Sequence, residues 1–101
     1  MKAIHQMKLC GAQFRMARSA TGIKIAEICK DIEMSASTLS KIEAAGHIEY
    51  VKKRGRASSG RFERERVEAL IEFYEERGVR FISDNGRHGA GIRYNPDHRD
   101  G

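Results

Sequence analysis

Residues 35–43 read Ser35-Ala36-Ser37-Thr38-Leu39-Ser40-Lys41-Ile42-Glu43, and the fold turns on how this stretch is held. Ser35 is a strong N-cap, because its hydroxyl accepts from a backbone N–H that the first turn of a helix leaves unpaired. The spacing predicts a helix from Ser35 through Ala44, with Leu39 and Ile42 as its buried pair and Gly46 following the last turn. Just upstream, Ile25, Ile28, Cys29 and Ile32 recur at i, i+3, i+4 and i+7, a core-facing stripe on a helix from about Lys24 to Ile32. Two short helices joined by a tight turn, the second opened by a serine cap and small polar residues, suggest a helix-turn-helix. Its physical requirement is specific. The second helix must be held by Leu39 and Ile42 against Ile28 and Cys29, leaving its N-terminal turn free to enter a DNA major groove about 12 Å wide.

Outward from this pair the chain reads as mostly α: a compact four-helix DNA-binding domain with a central helix-turn-helix and a short C-terminal β-hairpin. A first helix runs from about Met7 to Ala20, with Leu9 or Cys10, Phe14 and Ala17 at helical spacing and Gly22 as its stop. A fourth runs from about Phe62 to Arg77 and is stopped by Gly78. Val67, Leu70, Ile71 and Tyr74 form its core stripe, with Phe62, Ala69 and Phe73 as a second row to one side. Val79–Ser83 and Gly91–Tyr94 read as two strands joined through Asp84-Asn85-Gly86 and a Gly-rich tip. The expected organisation is one domain: residues 1–46 the helix-turn-helix core, 47–61 a basic loop, 62–94 the fourth helix and hairpin, and 95–101 a loose tail. An isolated hairpin is marginal in water, so it must pack on something. Phe62, Ala69, Phe73, Val79, Phe81, Ile92 and Tyr94 are the residues expected at a surface between two copies. The alternatives are packing within the chain, or a wing that touches DNA through Arg87 and His88.

The charge distribution points to a polyanion. The 101 residues carry a net charge of +5, and residues 51–62 alone hold five bases, Lys52, Lys53, Arg54, Arg56 and Arg61, and no acid. A basic run on an otherwise balanced chain suggests nucleic acid, with a solvated loop as the plainer reading. Lys52, Lys53, Arg54 and Arg56 closely follow the third helix, where they would track phosphates or enter an adjacent minor groove. Residues 63–77, with six Glu against three Arg, should face away from DNA.

Other chemistries lack their residues. His5, His47, His88 and His98 match no metal spacing, and Gly86, Gly89 and Gly91 lack the Lys-Ser or Lys-Thr that completes a phosphate loop. No nucleophile–base or paired-carboxylate arrangement stands out, so neither an enzyme nor a cofactor or metal is expected. Cys10 and Cys29, without a CxxC, read as small buried hydrophobes in a reducing cytosol. No apolar run approaches the roughly 18 residues of a membrane span, and Met1–Cys10 has no signal-peptide core, so a cytoplasmic protein is expected.

Phe14-Arg15-Met16-Ala17-Arg18, Gly22, Ile28, Cys29 and the stretch 35–43 together resemble the Cro/C1-type (XRE family) helix-turn-helix of phage repressors, over residues 8–46. Residues 78–94, GVRFISDNGRHGAGIRY, are similar to the C-terminal segment of small bacterial regulators of that family. The resemblance implies that Arg18 pairs with Glu43, tying the first helix to the end of the recognition helix. It implies that Ala36, Ser37 and Lys41 read bases, that Ser40 meets a phosphate or base edge, and that Thr38 packs inside. Ser35 would add a phosphate contact to its role as cap. Two departures bear on readout. Lys24 and Ile25 stand where the family has Ser or Asn and then Gln, so Lys24 would supply phosphate charge. Glu33 stands where the turn has Gly, and must accept a left-handed backbone or a changed turn. Ala36 offers thymine only a methyl, so backbone charge and DNA shape are expected to carry more of the recognition.

The function expected is a sequence-specific regulator of transcription, a repressor binding a palindromic operator in double-stranded DNA as a homodimer. The competing expectation is a protein-interaction module on the same scaffold, an antiactivator or antitoxin component. Ile25, Glu33 and Ala36 favour it, because each removes an expected DNA feature.

Overall fold

A computed structural model describes residues 8–50 and 61–97. Three helices precede the basic run: α1 (Gly11–Thr21), α2 (Ile25–Ile32) and α3 (Ala36–Ala44). A two-residue strand β1 (Glu49–Tyr50) pairs in parallel with β2 (Arg61–Phe62), and α4 (Arg64–Glu75) follows. The antiparallel hairpin of β3 (Val79–Ile82) and β4 (Gly91–Tyr94) comes after α4. The fold is the mostly α one read from the sequence, with its C-terminal hairpin.

Element ends depart from the sequence reading where long-range contacts decide them. The first helix starts at Gly11 rather than Met7, because tertiary hydrogen bonds take the residues just before it. Asp84 N–H donates to Lys8 O at 3.1 Å, Ile48 N–H to Leu9 O at 3.0 Å, and Gly11 N–H to Ala45 O at 2.8 Å. Cys10 is extended and serves as N-cap, its N–H donating back to Gln13 Oε1 at 2.8 Å. Residues 47–61 are not loop throughout: Glu49 pairs with Arg61 and Tyr50 with Phe62. That pairing carries Phe62, fully buried, into the core, so α4 begins two residues later than its spacing suggests.

One core joins the four helices with β2 and β3. Phe14 of α1, Ile28 of α2, Leu39 and Ile42 of α3, and Val67, Leu70 and Tyr74 of α4 are all at 0% exposure. The Phe81 ring lies 4.9 Å from Phe14 and 6.1 Å from Tyr74, between centroids. The hairpin therefore packs within its own chain. This corrects the surface expected between two copies: Phe62, Phe73, Val79 and Phe81 are each 2% exposed or less and belong to this core. Of that set Ala69 and Ile92 are half-buried, and Tyr94 is exposed.

Candidate nucleic-acid interface

The turn that presents α3 is built at Glu33 and Ser35. Glu33 ends α2 in the left-handed conformation (φ 53°), and Met34 N–H reaches back to Cys29 O at 3.0 Å, which closes the helix end. Glu33 thus takes the left-handed option that its position in the turn demands. Met34 is buried and anchors the connection. Ser35 then caps α3, its Oγ accepting from Thr38 N–H at 3.1 Å and donating to Thr38 Oγ1 at 2.9 Å.

The two faces of α3 differ sharply. Leu39 and Ile42 are fully buried and Glu43 is 6% exposed, whereas Ala36, Ser37, Ser40 and Lys41 are all exposed, with Thr38 half-buried between. Lys24, the exposed N-cap of α2, and Ser35 lie at the starts of the two helices of the motif. Lys52, Lys53, Arg54 and Arg56 fall outside the described residues.

The rear of α3 is fixed by charge. Arg18 Nε donates to Glu43 Oε2 at 2.7 Å and its Nη2 to Glu43 Oε1 at 2.9 Å, a fork-on-carboxylate pair joining α1 to the end of α3. That hydrogen-bonded carboxylate holds Arg18 even more firmly protonated than an ordinary arginine, against the opposing effect of its own burial. Arg15 Nη1 adds a hydrogen bond to Glu43 O. Beneath the pair is Tyr74, whose buried hydroxyl has no hydrogen-bond partner among the described residues. Burial, and then the Glu43 carboxylate, push its phenol well above the usual range, with Arg18 opposing.

Two supporting residues escaped the sequence reading. Gln13 is fully buried, and its Nε2 donates to Ile82 O at 2.9 Å and to Gly91 O at 2.8 Å, clasping both hairpin strands to α1. Gly11 lies where α1 meets α3, and a Cβ there would meet the carbonyl oxygens of Ile42, Glu43 and Ala45, the last two at 2.6 Å. A polar residue repeating inside a core stripe would have flagged Gln13; nothing local marks Gly11.

Among the described residues no cluster of His, Cys, Asp or Glu is arranged to hold a metal, and no helix is long and apolar enough to cross a membrane. Neither a curated protein nor a solved structure matches the chain. A family model described as a helix-turn-helix domain does match, over residues 10–79, from the cap of α1 to the first residue of β3. The match thus takes in both helices of the motif together with the α1 and α4 layers that brace them, and the chain belongs to the helix-turn-helix domain family, a membership that implies DNA binding.

Proposed function

We propose that this chain is a Cro/C1-type (XRE) regulator of transcription, a cytoplasmic repressor that binds a two-fold operator in double-stranded DNA as a homodimer. The two-sidedness of α3 carries the reading: Leu39, Ile42 and Glu43 are buried, while Ala36, Ser37, Ser40 and Lys41 are exposed together. In this reading Ala36, Ser37 and Lys41 meet base edges, and Ser35, Ser40 and Lys24 meet phosphates. Lys52, Lys53, Arg54 and Arg56 bind the flanking backbone. Arg18 and Glu43 hold the recognition helix without touching DNA. Residues 1–46 form the reading unit, 47–61 the charged flank, and 62–94 the layer that braces it and joins two copies.

With four of the apolar candidates committed to the core, dimerisation uses what remains. Ala69, Ile92 and Tyr94 are accessible, and no third strand pairs with the hairpin among the described residues, so a second copy would pair along its edge. Two recognition helices then enter successive major grooves about 34–36 Å apart.

The test is an alanine series read by equilibrium binding to a duplex that the protein selects. Lys41→Ala weakens binding by about tenfold and relaxes preference at one position of each half-site. Glu27→Ala on exposed α2 surface leaves affinity unchanged. Equal affinities for wild type and Lys41→Ala would remove α3 from the interface. The protein-interaction reading would then take over, and one feature favours it: a shallow groove of about 420 Å³ with Ile32 and Met34 beside Glu63, Glu65, Arg66 and Ala69.

A further inference from the structure

The hairpin carries a charge arrangement that the helix-turn-helix does not use. The strand register sets Arg80 directly opposite Arg93, and both are exposed. Residues so placed have Cβ atoms about 5 Å apart, and like charges there are destabilising. Nothing relieves the pair among the described residues. Neither guanidinium has a carboxylate within ion-pair distance, whereas Arg18, Arg66 and Arg77 each have one. Strand alternation keeps the two arginines outward, because Val79 and Phe81 on the other face are buried in the core.

The platform beneath them is firmly held. Gln13 bonds both strands from behind, and Phe81 packs on Phe14. In the connection, Asn85 Oδ1 accepts from Arg87 N–H at 2.9 Å and from His88 N–H at 2.7 Å. This adds a third exposed arginine, Arg87, to the same element. The only acid between residues 79 and 94 is Asp84, and its Oδ1 is engaged by Gly86 N–H at 2.8 Å. The connection is also tied to the chain entering the basic run. Asp84 bonds Lys8, and Ile48 bonds the adjacent Leu9.

We propose that the outer face of this hairpin is a second phosphate-binding surface, where Arg80 and Arg93, with Arg87, contact the duplex backbone flanking the site read by α3. This rests on the DNA-binding reading above. Guanidinium forks match phosphate oxygens in geometry and charge, and a phosphate between two arginines removes the repulsion that the free protein bears. Duplex DNA presents a negative charge about every 1.7 Å of its axis, so a single docking serves all three side chains. The contact positions the protein and carries no sequence information. The other available polyanion, the Glu-rich face of α4 on a second copy, is distinguished by the test.

The experiment measures the binding of a labelled duplex of about 30 base pairs from about 50 to about 300 mM salt, with sedimentation velocity and thermal melting alongside. Wild type is compared with Arg80→Gln/Arg93→Gln, Arg80→Lys/Arg93→Lys and Lys41→Ala. The glutamine pair flattens the dependence of log affinity on log salt by about two units and lowers affinity near 0.1 M salt by about 60-fold. It melts no lower than wild type, since a repulsion has been removed, and the lysine pair keeps the wild-type slope. A glutamine pair with the wild-type slope and affinity, beside an impaired Lys41→Ala, overturns this proposal alone. Loss of self-association with an unchanged salt slope overturns it too, and gives the face to a second copy. A wild type with no salt-dependent duplex binding overturns both this proposal and the reading on which it rests.

Discussion

Gly11 shows how narrow the tolerances around α3 are. The first turn of α1 abuts the last carbonyls of α3, and Gly11 N–H is bonded to Ala45 O at 2.8 Å. A methyl at this position would press on backbone oxygens, which cannot rotate aside. Gly11→Ala is therefore expected to destabilise the fold by about 3 kcal/mol in denaturant unfolding, although the substitution favours helix in isolation. A neutral or stabilised variant would contradict the close approach. Tyr74 predicts the opposite sign. Its buried hydroxyl has no partner among the described residues, so Tyr74→Phe should cost nothing at neutral pH and gain up to about 1 kcal/mol. Burial also holds the folded phenol above its ordinary value of 10.0. The unfolded chain then loses this proton first, so the stability linked to it is intact below about pH 10 and falls as pH rises further. Tyr74→Phe should lack that component of the alkaline loss. Parallel pH profiles for the two proteins would count against it.

At the scale of elements, one side chain clasps the hairpin to α1. Gln13 satisfies Cys10 N–H, Ile82 O and Gly91 O at once, from a fully buried position. Gln13→Ala removes one hydrogen bond from each of the three and is expected to cost about 2–4 kcal/mol. Hydrogen exchange should accelerate first in β3, β4 and the start of α1, before α2 and α3. Uniform acceleration across all helices would argue against a local clasp. The same contact explains what could be read from the chain and what could not. The cap at Ser35, the stripe through Ile28 and the Leu39–Ile42 pair are local patterns, so α2, α3 and their turn were legible from composition and spacing. The strands of the hairpin were legible too, but their seat was not, because Gln13 meets them across 69 and 78 residues. An apolar row on α4 and β3 reads equally well as an outer surface or as a core. The β1–β2 pairing involves two residues a side, too few for any periodicity to appear. The Arg18–Glu43 pair could be anticipated only through the family resemblance.

Across the whole molecule, charge and packing divide the labour. The net charge of +5 equals that of residues 51–62 alone, while α4 concentrates glutamates on the layer behind the motif. Affinity in this account comes from many phosphate contacts, and specificity from a thin set on α3, where Ala36 and the serines offer few hydrogen bonds. Such a protein binds any duplex weakly and its own site better, and salt weakens both. Sequence readout by α3 is what sets such a regulator apart from a general DNA-binding protein. The most direct measurement is selection from a pool of random duplexes at two salt concentrations, with the retained fraction sequenced. A reading helix enriches a two-fold-symmetric site with half-sites about 10–10.5 base pairs apart, with retention that drops steeply at the higher salt. Retention with no enriched sequence at either salt would contradict it.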